Sequence, residues 1–408
     1  MLAAAGWLPI EHIGDERLMK LLWGILSVAF LLRICFGITL EAFSASSDEQ
    51  HWDATARFFL EFGIWHPDGG AYRPPLYSIV LAILYALFGS SVWAVRVFQA
   101  LIGTATCGIL FVLGRKLGGF RVGLIAGGLG AILPIFVFFA NVVMAETLLV
   151  FLTVLCLWMI SRLEDDFSYR NACSFGVVLG VSVLCKPVLA SWIPLLCWGW
   201  FRYLKVDIGR ILGRLTMLLV VAVFTVFPWT IRNYLVTGYW IPVSANLGMN
   251  LMVGNESGAT GFYQDEIDYV SMLHRYAGPV DHAVEADRMV VSKMAATILE
   301  NPGRFTILAV RKLVLYWMPW IFGEPFIRNV LLLLSSGPVL LLGLWGILRL
   351  WPRCGIWPIG FLVLSQSVVH MIFFAHLRFR MPVEAALICP AAWMLVKGWD
   401  FYWAKIRT

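Results

Sequence analysis

Long apolar runs constrain this sequence more than any other feature. A helix that crosses the hydrocarbon core of a membrane needs roughly 20 apolar residues, and only helices or closed barrels satisfy their own backbone hydrogen bonds there. We therefore predict an all-α polytopic membrane protein with about ten transmembrane helices. The runs occupy about 20–40, 92–114, 121–140, 145–161, 171–186, 188–203, 211–231, 328–350, 356–375 and 381–399.

The composition supports this fold class and argues against others. Charged residues make up 14% of the chain and hydrophobic residues 60%, whereas a soluble domain is about 25% charged. The net charge of +6 does not indicate nucleic-acid binding, because most basic residues lie at the ends of apolar runs and report topology. Nearly all of the eight cysteines lie inside apolar runs, so neither a disulfide framework nor a cysteine metal site is predicted.

Two further apolar stretches are harder to assign. Residues 75–88 are short and follow Pro-Pro, and residues 305–322 carry two basic side chains near their middle. We predict that both are interfacial or re-entrant helices, and counting them as spans gives an alternative of about 11 or 12 crossings. Ten spans with a cytoplasmic N-terminus place Arg115, Lys116 and Arg121 on the cytoplasmic side, whereas counting 75–88 alone moves them outside.

Two long outer loops then divide the chain. The first covers about 41–91 and belongs with a membrane core of residues 1–231. The second covers 232–327 and contains the predicted interfacial helix 305–322, and residues 328–408 form the C-terminal transmembrane helices. Loops of this length are usually functional or disordered, and the Trp, Tyr and Pro residues in these two indicate order. The outer face is therefore where we expect a functional site.

The polar stretch SSDEQHWD follows the first apolar run. Ser47 and Gln50 fit a helix N-cap with its capping-box partner. This pattern places Asp48 and Glu49 in the first helical turn, where backbone N–H groups favour ionised carboxylates. Trp52 shares a face with Asp48 at i, i+4 spacing. We interpret Asp48 as a catalytic base, and the alternative interpretation is a solvated, capped helix start.

Further charged residues lie at the outer ends of the apolar runs. A single charge there is commonly a snorkelling anchor, but several on one face can neutralise one another only by converging on a cavity. Basic groups at an outer cavity indicate a lipid phosphate, and nearby carboxylates indicate removal of a proton from a hydroxyl or water. The sequence has no P-loop motif for a soluble nucleotide donor. The set comprises Asp48, Glu146, Lys186, Arg232 and Arg378.

An ordered series of motifs resembles one known superfamily. The segments are 47–65, 72–77, 95–97, 114–118, 145–147, 186–187, 228–234 and 378–382. Together they resemble bacterial GT-C glycosyltransferases, the polyprenyl-phosphate-sugar-dependent enzymes related to protein O-mannosyltransferases and to the aminoarabinose transferase of lipid A. The resemblance implies a GT-C fold with juxtamembrane helices in both outer loops. It also implies an inverting displacement at the anomeric carbon, in a bacterial cytoplasmic membrane with the active site facing the periplasm.

The resemblance also implies roles for individual residues. Asp48 matches the family's catalytic acidic residue and Glu146 matches its second acidic position. Lys186, Arg378 and Arg232 match basic residues that hold the lipid phosphate, and we add Arg73 and Arg380 to this group. The implied partners are a polyprenyl-phosphate-linked sugar, the lipid bilayer and an acceptor hydroxyl on a lipid, glycan or protein. Predicted sugar or acceptor contacts are Trp52, Tyr72, Asn246 and Asn250, with turn formation as the alternative for each Asn.

Asp48 is predicted to act together with other acidic residues and with His51. We predict that Asp48 accepts a proton from the acceptor hydroxyl. Glu49 and Glu146 are predicted to be catalytic together with Asp48. Glu49, Glu146 or His51 either orients Asp48 or holds a divalent cation with it. Because no ligand spacing is diagnostic of a metal site, no cofactor is assigned.

Two other classes of protein fit part of this pattern. A transporter or flippase for a polyprenyl-linked sugar or anionic lipid needs charges deep in the spans or paired broken helices, whereas these charges gather at the outer ends. A non-catalytic assembly partner has no need of Asp48, Lys186 and Arg378 together. The sequence therefore predicts a membrane glycosyltransferase, with the flippase as the alternative.

Overall fold

The computed structural model describes residues 16–40, 47–63, 65, 71–204, 206–262, 271–273, 275, 283–321, 325–351 and 355–407. Over these ranges the chain is built from α-helices, with a 3-10 helix at Pro187–Trp192 and no β-strand. The helices are α1 (Glu16–Ile38), α2 (Ser47–Phe62), α3 (Leu76–Phe88), α4 (Val92–Gly118), α5 (Phe120–Ile132), α6 (Pro134–Phe139), α7 (Glu146–Asp165), α8 (Tyr169–Cys185), α9 (Ile193–Tyr203), α10 (Ile208–Thr237), α11 (Leu247–Asn255), α12 (Ala283–Glu300), α13 (Pro302–Trp317), α14 (Phe326–Leu350), α15 (Trp357–Ile372) and α16 (Leu377–Arg407).

The lengths of these helices suit a membrane bundle. In the described part of the chain, six of them are long and apolar enough to cross a membrane, namely α1, α4, α7, α10, α14 and α16. Shorter apolar helices are α3, α5, α8 and α15. One large cluster of buried side chains joins α2–α10 to α14–α16. The prediction of an all-α polytopic membrane protein is confirmed, and the number of crossings stays a prediction.

Two of the predicted spans are each split in two. The run 121–140 forms α5 and α6, which are separated at Leu133, whose backbone is not helical (ψ 118°). Pro134 disfavours a helical conformation at the residue before it and then begins α6. The run 188–203 forms most of the 3-10 helix and then α9, with a proline near the start of each piece.

A buried arginine satisfies the end of α5. Arg33 of α1 is 2% exposed and donates to the carbonyls of Gly130 and Ala131, at 3.0 and 3.3 Å. Carbonyls in the last turn of a helix have no partner within that helix, and water does not reach them in an apolar core. Arg33 therefore closes the break between α5 and α6, a role that the sequence patterns did not indicate.

Both outer loops contain ordered helices. The stretch 75–88 forms α3, which buries Tyr77 and Leu81 completely. The stretch 305–322 forms α13, which begins earlier than predicted and ends at Trp317. The placement of these two helices relative to a bilayer stays a prediction.

Two helices of the predicted second outer loop, α12 and α13, cap the ends of α11. Asp287 of α12 accepts a hydrogen bond from the amide of Met249 at the start of α11, at 3.1 Å. Arg304 of α13 donates to the carbonyls of Asn255 and Glu256 at the other end of α11, at 3.0 and 2.5 Å. Side chains of neighbouring helices thus satisfy backbone groups at both ends of α11.

Residues of the predicted second outer loop also form hydrogen bonds with the turn between α15 and α16. Lys312 of α13 is fully buried and donates to Oδ1 of Asn255 at 2.8 Å and to the carbonyl of Ile372 at 3.1 Å. The amide of Ala375 donates to the carbonyl of Gly261 at 3.0 Å. This turn leads directly into the first residues of α16.

Candidate active site

Asp48 lies in the first turn of α2, as its capping pattern predicts. Its Oδ1 lies 2.5 Å from Nη2 of Arg73, and its Oδ2 lies 2.5 Å from Nη1 of Arg378. Burial would raise the pKa of Asp48, but the two guanidinium groups outweigh burial and hold the pKa below its usual range. Asp48 is therefore a carboxylate held by two cations, and in this arrangement it is a weak base.

Glu146 begins α7 and is 3% exposed. Its Oε1 lies 2.6 Å from Nζ of Lys186, the residue that follows α8, and 3.8 Å from Nε of Arg378. Arg378 thus contacts Asp48 through one nitrogen and Glu146 through another. The guanidinium group of Arg378 is the link between the two carboxylates.

The charges come from parts of the chain that are distant in sequence. Two are supplied by the predicted first outer loop, and the others by the start of α7, the residue after α8 and the start of α16. Two carboxylates face three cations, so the cluster has a formal charge of +1. A net positive, partly buried cluster of this kind attracts an anion. We call Asp48, Arg73, Glu146, Lys186 and Arg378 the charge cluster.

Aromatic rings pack against the cations of the charge cluster. The guanidinium carbon of Arg73 lies 5.1 Å from the ring centre of Trp52 and 5.8 Å from that of Tyr72. Nζ of Lys186 lies 5.0 Å from the ring centre of Phe379. Cation–π contacts of this length help to orient the cations. Trp52 and Tyr72 were predicted as sugar or acceptor contacts, and the structure places both beside the site.

Phe379 and His376 belong to the site although the sequence patterns did not single them out. Both lie within or beside the motif 378–382. Nδ1 of His376 accepts a hydrogen bond from the amide of Arg378 at 3.2 Å, and its ring stacks on Phe262, with centroids 5.4 Å apart. Burial, followed by the charge of Arg378, lowers the pKa of His376 well below its usual value. His376 is thus a neutral acceptor that supports the backbone of Arg378.

Arg380, which was predicted to bind phosphate, lies outside the charge cluster. It is fully buried, donates to the carbonyls of Tyr316 and Met318 at 2.9 Å each, and lies 3.6 Å from Glu384. Residues two apart on a helix do not share a face, so Arg378 points to the site while Arg380 points into the bundle. Arg380 ties the end of α13 to α16.

Arg232 has contacts of a different kind from those of the cluster. Its guanidinium group lies 4.7 Å from the ring centre of Trp229 and donates to Oδ1 of Asn233 at 3.1 Å. Asn246 directly precedes α11, and its side-chain oxygen lies 3.3 Å from Oγ of Ser244, which fits the turn-forming interpretation. Asn250 lies within α11. Contacts of Arg232 and the two asparagines with substrate stay predictions.

The acidic residues do not fit a metal site. Oε1 of Glu49 accepts the amide of Val143 at 2.7 Å, and the Glu49 residue is 2% exposed. Both oxygens of Asp48 are in ion pairs with arginines, and Glu146 is paired with Lys186. His51 packs edge-on against Tyr72. Among the residues that the structure describes, no three His, Cys, Asp or Glu side chains form a group that could hold a metal, and we assign no step to one.

Part of the sequence matches a known family model. Residues 72–231 match the family of dolichyl-phosphate-mannose-protein mannosyltransferases. The match covers Arg73, Glu146 and Lys186 of the charge cluster. No curated protein sequence matches this chain.

Several solved structures share the fold. The oligosaccharyltransferase AglB from Archaeoglobus fulgidus, in complex with an inhibitory peptide and a dolichol-phosphate, is similar with a TM-score of 0.56 and 15% identity, over 95% of this chain and 51% of AglB. The apo form of the oligosaccharyltransferase from the same organism gives a TM-score of 0.58 and 16% identity, over 94% of this chain and 51% of that one. This chain thus spans about half the length of those enzymes.

ArnT from Cupriavidus metallidurans, bound to undecaprenyl phosphate, is also similar. It is 16% identical, over 94% of this chain and 79% of ArnT. Its TM-score is 0.45. At these identities the likeness to solved structures concerns the fold alone.

Proposed function

We propose that this chain is a GT-C glycosyltransferase, which transfers a sugar from a polyprenyl-phosphate donor to an acceptor hydroxyl. The ordered motifs of the sequence and the family match over residues 72–231 support the proposal. The observation that carries the proposal is the charge cluster. It joins a carboxylate suited to proton transfer with cations suited to a lipid phosphate, at the ends of membrane helices.

The three cations are proposed to hold the donor phosphate. Arginine binds phosphate in a bidentate manner and lysine binds it as a point charge, so Arg73, Arg378 and Lys186 supply both kinds of contact. The same groups stabilise the charge that grows on the phosphate as it leaves. The dolichol-phosphate bound to the similar AglB structure supports a polyprenyl phosphate as the carrier here.

Asp48 is proposed to be the general base. The acceptor oxygen forms a bond to the anomeric carbon, the bond from that carbon to the phosphate oxygen breaks, and the hydroxyl proton passes to Asp48. The displacement inverts the configuration and releases polyprenyl phosphate. While both of its oxygens are paired with arginines, Asp48 is a poor base. A donor phosphate that draws Arg378 and Arg73 toward itself would restore the basicity of Asp48.

We place this site on the extracytoplasmic side of the membrane. α7 runs from Glu146 in the charge cluster to Asp165, and its 20 residues span roughly 30 Å. At its far end Lys116 pairs with Asp165 at 2.6 Å, beside the basic ends of neighbouring helices. The positive-inside rule puts that end in the cytoplasm. A lipid-carried donor suits the opposite side of the membrane, which faces the periplasm in a bacterial cell.

The proposal is tested by incubating the purified protein with a radiolabelled polyprenyl-phosphate-sugar and a cell-envelope extract that supplies acceptor hydroxyls, and by measuring both the release of polyprenyl phosphate and the transfer of label. We expect wild type to transfer the sugar and Asp48→Asn to transfer none, because the amide cannot accept the proton. Asp53→Asn is the matched control. Asp53 lies in the same helix and accepts from Arg57 and Tyr85 at 2.7 and 2.6 Å.

Full transfer by Asp48→Asn would remove Asp48 from the mechanism. Movement of intact donor across liposomes, without cleavage of the sugar–phosphate bond, would instead establish the flippase alternative.

A further inference from the structure

The turn between α6 and α7 leads directly into Glu146. Its residues, 140–145, are all buried and have irregular backbone, so their amides and carbonyls need partners inside the protein. The partners come from two sides of the turn. Some of these groups bond to other backbone groups, and others bond to polar side chains of α4 and α2 that take no part in the charge cluster.

From one side, α4 holds the carbonyls of this turn. Nε2 of Gln99, a fully buried residue, donates to the carbonyls of Ala140 and Val142 at 3.2 and 2.8 Å. Nε of Arg96 donates to the carbonyl of Asn141 at 3.2 Å. The turn is thereby fixed to the N-terminal part of α4.

From the other side, α2 holds the amide of the turn. Oε1 of Glu49 accepts from the amide of Val143 at 2.7 Å. A second route leads back to α2 through Tyr77, whose hydroxyl donates to Oε1 of Gln99 at 3.0 Å. The ring of Tyr77 packs edge-on against Trp52 of α2, with centroids 5.5 Å apart.

We propose that Glu49 and Gln99 are positioning residues, which fix the turn before Glu146 to the helix that carries Asp48. The proposal rests on the function proposed above. Arg378 contacts both Asp48 and Glu146, so the distance between those carboxylates must be held. Glu49 and Gln99 hold it through the backbone, because Glu49 follows Asp48 directly and Val143 lies three residues before Glu146.

Substitutions at Glu49 separate a positioning role from a catalytic or metal-binding one. Glu49→Gln keeps an acceptor oxygen at the same reach, and we expect its kcat to stay within about threefold of wild type. Glu49→Asp and Glu49→Ala lose the bond to Val143 through a shorter reach or no acceptor. We expect kcat to fall by about 10- to 100-fold in both, with the donor KM nearly unchanged. The opposite order, with Glu49→Asp active and Glu49→Gln inactive, would overturn the proposal.

Hydrogen exchange gives a readout that does not depend on catalysis. In lipid nanodiscs, the amides of 140–146 should exchange faster in Glu49→Ala and Gln99→Ala, and at the wild-type rate in Glu49→Gln. Thr153→Val is the control, since Thr153 is a buried residue of α7 whose hydroxyl donates to Leu149 within the same helix. Unchanged exchange in Glu49→Ala would overturn the positioning role. A wild-type protein that transfers no sugar would contradict the proposed function and leave this measurement valid.

Discussion

Arg378 is the cation of the site that lies near both carboxylates. Its guanidinium group lies 2.5 Å from Asp48 and 3.8 Å from Glu146. In the proposed mechanism, a donor phosphate must compete with these carboxylates for the same cation, since a guanidinium group has only five N–H donors in a fixed geometry. Under the proposed function, donor binding and activation of Asp48 are therefore one event, because Asp48 becomes available as a base only when the leaving group is in place.

This competition predicts an effect of Asp48 on binding as well as on transfer. Asp48→Asn removes the charge that holds Arg73 and Arg378. We expect the mutant to bind a short-chain polyprenyl monophosphate about tenfold more tightly than wild type, a difference of about 1.4 kcal/mol. Titration calorimetry in detergent measures this affinity, with Asp53→Asn as the charge-matched control. Equal or weaker binding by Asp48→Asn would show that phosphate and Asp48 do not share these arginines.

Sequence reasoning found most of the charge cluster, but it could not predict how the neighbouring side chains pack. Asp48, Glu146, Lys186 and Arg378 were predicted because charges at the outer ends of apolar runs are costly unless they meet. Arg380 could not be separated from Arg378 in this way, because the direction of each side chain depends on how α16 packs. Glu49 was assigned to catalysis because its partner, the amide of Val143, is distant in sequence and carries no side-chain signal.

At the scale of elements, α13 connects the second outer loop to the site. Lys312 bonds to Asn255 at the end of α11 and to Ile372 at the end of α15, and Arg380 at the start of α16 bonds to the carbonyl of Tyr316 in the last turn of α13. These contacts lie on both sides of the turn between α15 and α16, which contains His376 and is followed by Arg378. Because one helix holds both ends of that turn, changes in α13 should reach the charge cluster.

The buried amine of Lys312 in α13 is expected to make the stability of the protein depend on pH. Burial, followed by the charge of Arg304, lowers the pKa of Lys312 to about 7, below the 10.4 of an unfolded chain. Between these values the unfolded chain binds more protons, so the stability contributed at this site rises with pH, by up to about 1.4 kcal/mol per unit. Thermal unfolding from pH 7.5 to 9.5 should show this rise in wild type and a flatter profile in Lys312→Met. Lys20→Met, at an exposed lysine, should follow wild type, and identical slopes in Lys312→Met and wild type would contradict the assignment.

The boundaries of the elements were predictable only where local signals were strong. The length of the apolar runs identified α4, α7, α10, α14 and α16, because a helix that spans a membrane needs an unbroken run of apolar residues. Pro134 indicates a break in the helix before it, but the sequence analysis treated the whole apolar run 121–140 as one span. The capping of α11 by Asp287 and Arg304 could not be predicted, since it depends on how three loop helices meet.

At the scale of the whole molecule, the helices gather charge at one end of the bundle. α7 carries Glu146 at its start, and α16 carries Arg378 at its start, so both helices run from the site toward the opposite end. The first outer loop adds Asp48 and Arg73 across the same end. Under the proposed function, this arrangement leaves the apolar parts of the helices to contact lipid and places the chemistry at one end of the bundle.

The most direct measurement is a cryo-EM structure of the wild-type protein in lipid nanodiscs with polyprenyl phosphate bound. We expect the phosphate within hydrogen-bond distance of Arg378 and Lys186, and the Asp48 carboxylate no longer paired with Arg378. A phosphate bound elsewhere, with the Asp48–Arg378 ion pair intact, would contradict the account.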